Sequence, residues 1–114
     1  MTEKTLKELQ KEIDDYIQQY KCGYWPIFEM LAHTMEELGE LARELMHKEG
    51  NKKKKHENEG SSLEQEIGDL LFNIACIANA QKIDLQTALE QTIKKANQRD
   101  KNRWEKKKQE KPHD

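Results

Sequence analysis

Glu36-Glu37-Leu38-Gly39-Glu40 and Glu66-Ile67-Gly68-Asp69 decide how this chain is read. Each acidic cluster lies inside a run whose apolar residues recur at three and four, the period of a helix with one buried face. On the first run, Ile27, Phe28, Leu31, Met35, Leu38, Leu41, Ala42, Leu45 and Met46 form a broad apolar arc. Glu37, Glu40 and Glu44 project together beside that arc, with His33 one turn earlier on the same face. On the second run, Leu63, Ile67, Leu70, Leu71, Ile74, Ile77 and Ala78 make the apolar face, and Glu66, Asp69 and Asn73 follow its edge. An edge position suits groups that line a pocket shared by two helices. The pattern therefore predicts two facing helices that present carboxylates to divalent cations.

Carboxylates three residues apart on a helix come within reach of one small ion. Glu37 with Glu40 is one such pair, and Glu66 with Asp69 is another. Four carboxylates with no lysine or arginine between them repel unless cations compensate them. All-oxygen ligation favours Mg²⁺, or Mn²⁺ in its place, over zinc. Magnesium shares its shell readily with phosphate oxygens, which points to a phosphate ester or anhydride as substrate. Gly39 and Gly68 sit mid-helix inside the two clusters, where glycine costs about 1 kcal/mol against alanine. Such glycines imply a need for space, for a close helix approach or for a ligand. The rival reading is a helical interaction module without catalysis, its acidic stripe simply solvated. Glu44-Leu45-Met46-His47 also matches the Glu-x-x-His of di-iron bundles, which need the motif on two helices. A second copy occurs only at Glu110 to His113 in the tail, so a di-iron centre is set aside.

Outward from the clusters, Leu6, Leu9, Ile13, Tyr16, Ile17 and Tyr20 predict a first helix over about 5–20, capped by Thr5 with Glu8 as a capping box. Cys22-Gly23-Tyr24 ends it, and Trp25-Pro26 opens the second helix. Residues 47–62 contain no apolar side chain, carry Lys52 to Lys55 and hold glycine near both ends, which predicts a flexible loop over about 48–61. It reads either as a solvated connector or as a basic flap over phosphates. Ser61 or Ser62 caps the third helix, with Glu64 or Gln65 completing the box. Asp84 caps a fourth from Leu85 to about Trp104, and residues 105–114 read as a disordered basic tail. Near that helix's end, Arg99 and Arg103 are four apart and can fork onto one phosphate, or they simply complement the helix dipole.

The expected architecture is an all-α antiparallel bundle of about four helices, one domain over 1–104, assembled as an oligomer. At 114 residues with 34% hydrophobic and 37% charged side chains, a lone chain has a thin core, so self-association should supply the missing burial. A formal net charge of −2 gives no global field for nucleic acid or a membrane surface. Cys22 and Cys76 lack metal spacing and read as free thiols. Neither a secretory h-region nor a membrane-length apolar run is visible, so a cytoplasmic protein is expected.

The paired clusters, with residues 41–65 between them, resemble the EExxE…ExxD signature of the MazG-like nucleotide pyrophosphohydrolases. These belong to the all-α NTP pyrophosphatases, with dimeric dUTPases, dCTP pyrophosphatases and phosphoribosyl-ATP pyrophosphohydrolases. The resemblance covers about Tyr24 to Trp104. Asn97-Gln98-Arg99 with Arg103-Trp104 is similar to the family's basic segment, although Ala96 stands where an aromatic is common. The resemblance implies a homodimer or homotetramer and Mg²⁺-dependent hydrolysis of (d)NTP to (d)NMP and pyrophosphate, with phosphoribosyl-ATP as an alternative substrate. It implies Glu37, Glu40, Glu66 and Asp69 as metal ligands and Glu36 as the residue that orients a ligand or the attacking water. Arg99, Arg103, Lys95 and Asn97 would hold the phosphate side, and Trp25 and Asn73 the nucleoside.

Overall fold

The computed structural model describes residues 2–50 and 62–107. It consists of four helices: α1 (Leu6–Gln18), α2 (Ile27–Glu49), α3 (Leu63–Ala80) and α4 (Leu85–Arg99). No strand occurs among the described residues. The lysine run expected as a loop and the end of the tail lie outside them.

Helix starts follow their capping chemistry. Thr5 accepts from the Glu8 backbone N–H while the Glu8 carboxylate takes the Thr5 N–H, a complete capping box. Ser62, rather than Ser61, caps α3 by accepting from the Gln65 N–H at 3.0 Å. Asp84 caps α4 by accepting from the Gln86 N–H and the Thr87 hydroxyl. Between α1 and α2 the chain reverses through Gly23, whose φ of +58° is left-handed and favours glycine.

Two boundaries differ from expectation. α2 continues through Lys48 and Glu49, and the Gly50 N–H closes its last turn on Met46 O. α4 ends at Arg99, short of Trp104, where the Asp100 carboxylate gathers Arg99 and Arg103 around the helix end.

The principal contact is α2 against α3; α1 packs on α3, and α4 packs mainly on α1. Only Met30, Ala75, Cys76 and Ala78 form a buried apolar core among the described residues, and Gln10, Glu44 and Glu66 are buried with them. The apolar arc expected on α2 is therefore largely uncovered in one chain. Gln10 bolts the bundle's far end. Its Nε2 donates to Asn79 Oδ1 at 2.8 Å and to Ile83 O at 2.7 Å, and its Oε1 accepts from the Leu85 N–H at 2.9 Å. Asn79 Nδ2 returns a bond to Gln10 O at 3.2 Å. Removing the amide strands several buried partners, each costing about 1–3 kcal/mol. Gln10→Ala should therefore lower the unfolding free energy in urea by about 3 kcal/mol; a loss below about 1 kcal/mol would show that the network contributes little.

Candidate active site

Three carboxylates converge across the seam between α2 and α3. Glu37, Glu66 and Asp69 each offer an oxygen within 4.8 Å of the others. Glu66 lies in the first turn of α3, where the helix dipole favours negative charge, and Asp69 follows one turn on. Glu66 is only 4% exposed, Glu37 is half-buried, and Asp69 is open to solvent. Burial, above all, raises the Glu66 pKa; a hydrogen bond with Glu37 and the charges of Glu37, Asp69 and Glu44 push it the same way. One Glu66 oxygen, Oε2, is buried with no hydrogen-bond partner. A buried carboxylate oxygen left bare among other carboxylates fits a group that brings positive charge.

His33 stands between this triad and a second feature. Its Nε2 is 3.7 Å from Glu37 Oε1, its Nδ1 is 3.6 Å from Glu36 Oε2, and its ring lies 5.6 Å from that of Trp25. Trp25, His33 and Asn73 line a cavity of about 250 Å³ whose other walls include Tyr16, Tyr20, Tyr24 and Phe72. Tyr16 meets Tyr20 and Phe72 edge-on at 5.5 and 6.2 Å. The Tyr24 hydroxyl donates to Asp14 Oδ1 at 2.5 Å, which holds Asp14 below the usual carboxylate range; burial first, and then this bond, raises the Tyr24 pKa. A flat heteroaromatic ligand fits such walls, with the Asn73 amide as a polar handle.

A family model for the MazG nucleotide pyrophosphohydrolase domain matches residues 28–104. The chain belongs to that family. It is 48% identical over 107 residues to the uncharacterized protein YpjD of Bacillus subtilis (strain 168), covering 94% of this chain and 96% of that protein. The crystal structure of the putative pyrophosphatase YpjD from Bacillus subtilis superposes with a TM-score of 0.77 at 46% identity, over 85% of this chain and 99% of that one. The Bacillus-conserved MazG protein, a nucleotide pyrophosphohydrolase, gives 0.73 at 45% identity, over 85% and 94%. This MazG chain is thus a nucleotide pyrophosphohydrolase by family, and the non-catalytic module is set aside.

Within the MazG signature the carboxylates do not all behave alike. At about 100° per residue, Glu44 returns to within about 20° of Glu37, whereas Glu40 sits about 60° away. Accordingly Glu44 is buried in the seam, while Glu40 turns outward and pairs with Arg43. Glu36 is exposed and faces His33. A Cβ built on Gly39 or Gly68 meets nothing within 4 Å, so no close approach within the described chain demands either glycine. Lys95, Asn97 and Arg99 ride on α4, with Arg103 just beyond it, and none of the described contacts joins them to the triad. Arg99 and Arg103 instead grip Asp100, and the Arg103 guanidinium lies 4.8 Å over the Trp104 ring. The sequence placed Glu44 on the face of Glu37, as its burial bears out, but grouped Glu40 with them and missed the inward turn of His47, whose side chain is 11% exposed.

The raised Glu66 pKa has a defined sign. The folded state holds that proton more tightly than the unfolded chain, so its contribution is full below about 4.5 and is lost as pH rises through the folded value. In EDTA, Glu66→Gln should gain Tm relative to wild type as pH climbs from about 4.5, and added Mg²⁺ should shrink the gap. A pH-independent difference would show that crowding at Glu66 is not the cause.

Proposed function

We propose that this enzyme hydrolyses (d)NTP to (d)NMP and pyrophosphate with Mg²⁺, or Mn²⁺ in its place, as cytoplasmic nucleotide-pool housekeeping that removes non-standard or surplus dNTPs. The observation that carries this reading is the carboxylate triad lying one histidine away from an aromatic cavity. A triphosphate over the triad leaves its base within reach of Trp25 and Asn73. In this reading Glu37, Glu66 and Asp69 hold the metal, and Glu40 joins them on leaving Arg43. Glu36 orients a ligand or the attacking water. Divalent cations bound there supply charge against the triphosphate and acidify the attacking water. Lys95, Asn97, Arg99 and Arg103 take phosphate oxygens, the arginines by exchanging Asp100 for the substrate.

The active form in this reading is a homo-oligomer, dimer or tetramer. Phe28 is 80% exposed and Met35 64%, more apolar surface than a lone domain ordinarily leaves open. An apolar groove of about 840 Å³ between α1, α3 and α4 includes Gly68, where the bare backbone leaves room for a second copy. No helix among the described residues is long and apolar enough to cross a membrane.

The direct test is pyrophosphate release from canonical and modified (d)NTPs and from phosphoribosyl-ATP, with Mg²⁺ and with EDTA. Metal-dependent release from (d)NTPs is expected. Asp69→Asn and Glu40→Gln should lower kcat by more than about 100-fold with helicity intact, since even residues that only orient a ligand are worth about 10- to 100-fold. Release from phosphoribosyl-ATP alone would replace the substrate; release from nothing in the panel would sink the reading.

The basic segment is tested separately. Arg103→Ala should weaken triphosphate binding by roughly 10-fold and monophosphate binding far less, measured by calorimetry. Equal losses would remove Arg103 from the phosphate side.

A further inference from the structure

His33 borders both the carboxylate triad and the aromatic cavity, and its two nitrogens face different carboxylates. Nδ1 lies 3.6 Å from Glu36 Oε2, and Nε2 lies 3.7 Å from Glu37 Oε1. Both separations exceed the hydrogen-bond range by roughly 0.5 Å, so the ring is committed to neither. A neutral imidazole carries one N–H and donates to one of the two at a time. The Glu36 side chain is 76% exposed, so water can serve it in place of the imidazole. That of Glu37 is 18% exposed, and Glu37 is the member of the triad. On its other side the His33 ring meets that of Trp25 at 5.6 Å, with 56° between their planes. This is a tilted contact rather than a stack, and it leaves the imidazole room to turn beside the cavity that both rings line.

We propose that His33 is a positioning residue that couples the cavity to the triad: a flat heteroaromatic ring seated against Trp25 and His33 turns the imidazole from Glu36 onto Glu37, and a divalent cation at the triad is then held more tightly. The coupling rests on the reading above, with the cation at the triad and the base in the cavity. A carboxylate that binds a metal is oriented by the hydrogen bond it accepts from a further partner, and such partners are worth about 10- to 100-fold in metal affinity. The His33 Nε2–H donated to Glu37 Oε1 supplies that bond. Coupling of this kind runs both ways, because ligand and cation must change each other's affinity by the same factor. It also gives the site a selection rule. Inorganic triphosphate brings phosphates without a ring and meets a triad that His33 has not set, whereas a nucleotide brings both.

Mn²⁺ binding to the metal-free full-length chain tests it, read from the free-ion electron paramagnetic resonance signal at one fixed pH, alone and with each common deoxynucleoside at millimolar concentration. A nucleoside carries no phosphate, so its effect on the ion comes through the protein. In wild type at least one nucleoside should tighten Mn²⁺ binding by about 5-fold or more. His33→Ala should bind Mn²⁺ about 10-fold more weakly and show no nucleoside effect. His33→Gln, whose amide can donate to Glu37 but offers no ring to the cavity, should recover the Mn²⁺ affinity without the coupling, a split that general loosening of α2 does not produce. Wild-type Mn²⁺ affinity unmoved by every nucleoside overturns the proposal, as does a nucleoside effect that survives His33→Ala. If His33→Ala fails to fold, wild type against His33→Gln decides: coupling lost with Mn²⁺ affinity kept supports the role, and coupling kept overturns it. Wild type that binds no Mn²⁺ at all overturns the triad reading as well, so the two failures are told apart.

Discussion

Crowded negative charge in a place with little water is the constraint on which the rest of this molecule depends. Glu66 is nearly inaccessible, yet Glu37, Asp69 and Glu44 all act on it. No apolar core of comparable size offsets this, since the buried apolar residues among those described are Met30 and three small side chains of α3. The principal helix contact is therefore organised around charges that oppose each other. Three features make that tolerable: the start of α3 supplies the positive end of a helix dipole, Glu66 holds a proton more firmly, and Glu40 is drawn outward by Arg43. A metal ion held by Glu37, Glu66 and Asp69 would add positive charge at the same place, which ties the seam's electrostatics to the chemistry of its family.

The aromatic cavity follows from the same geometry. α2 begins just after Gly23, and that reversal brings Tyr24 and Trp25 against α1 and α3. The Tyr24–Asp14 hydrogen bond anchors the reversal to α1, and the pair of Tyr16 and Phe72 anchors α1 to α3. His33, one turn before Glu37, then necessarily borders both the cavity and the triad.

Much of this was legible in the residues. Helix starts announce themselves through local chemistry, as at Thr5 with Glu8, Ser62 with Gln65, and Asp84, because donor and acceptor lie within three residues. The convergence of Glu37, Glu66 and Asp69 could be anticipated from two periodic faces. What escaped depends on partners far away or on competing local signals. Gln10 looks like an ordinary polar break in a stripe, and its partners lie 69 to 75 residues on. His47 adjoins a polar, lysine-bearing stretch, which hid both its inward turn beside Glu44 and the continuation of α2 to Glu49. Asp100 sits among basic residues and shortened α4 by collecting Arg99 and Arg103.

The Gln10 bolt also separates the molecule into parts of different topology. α2 and α3 are consecutive, so the seam that gathers the carboxylates closes between neighbours in the chain. α1 is bonded to the far end of the bundle across the greater part of the sequence, to Asn79, Ile83 and Leu85. In the terms of native-state fluctuation, α1 is a candidate foldon in its own right, held by one amide cluster and a few ring contacts. Partial opening of α1 would take Tyr16, Tyr20 and the Asp14 anchor from the cavity wall without moving the helices that bear Glu37, Glu66 and Asp69. The aromatic wall and the carboxylates are thus carried by differently connected parts of the chain: α1 supplies Tyr16 and Tyr20 to the cavity, whereas Glu37, Glu66 and Asp69 all lie on α2 and α3.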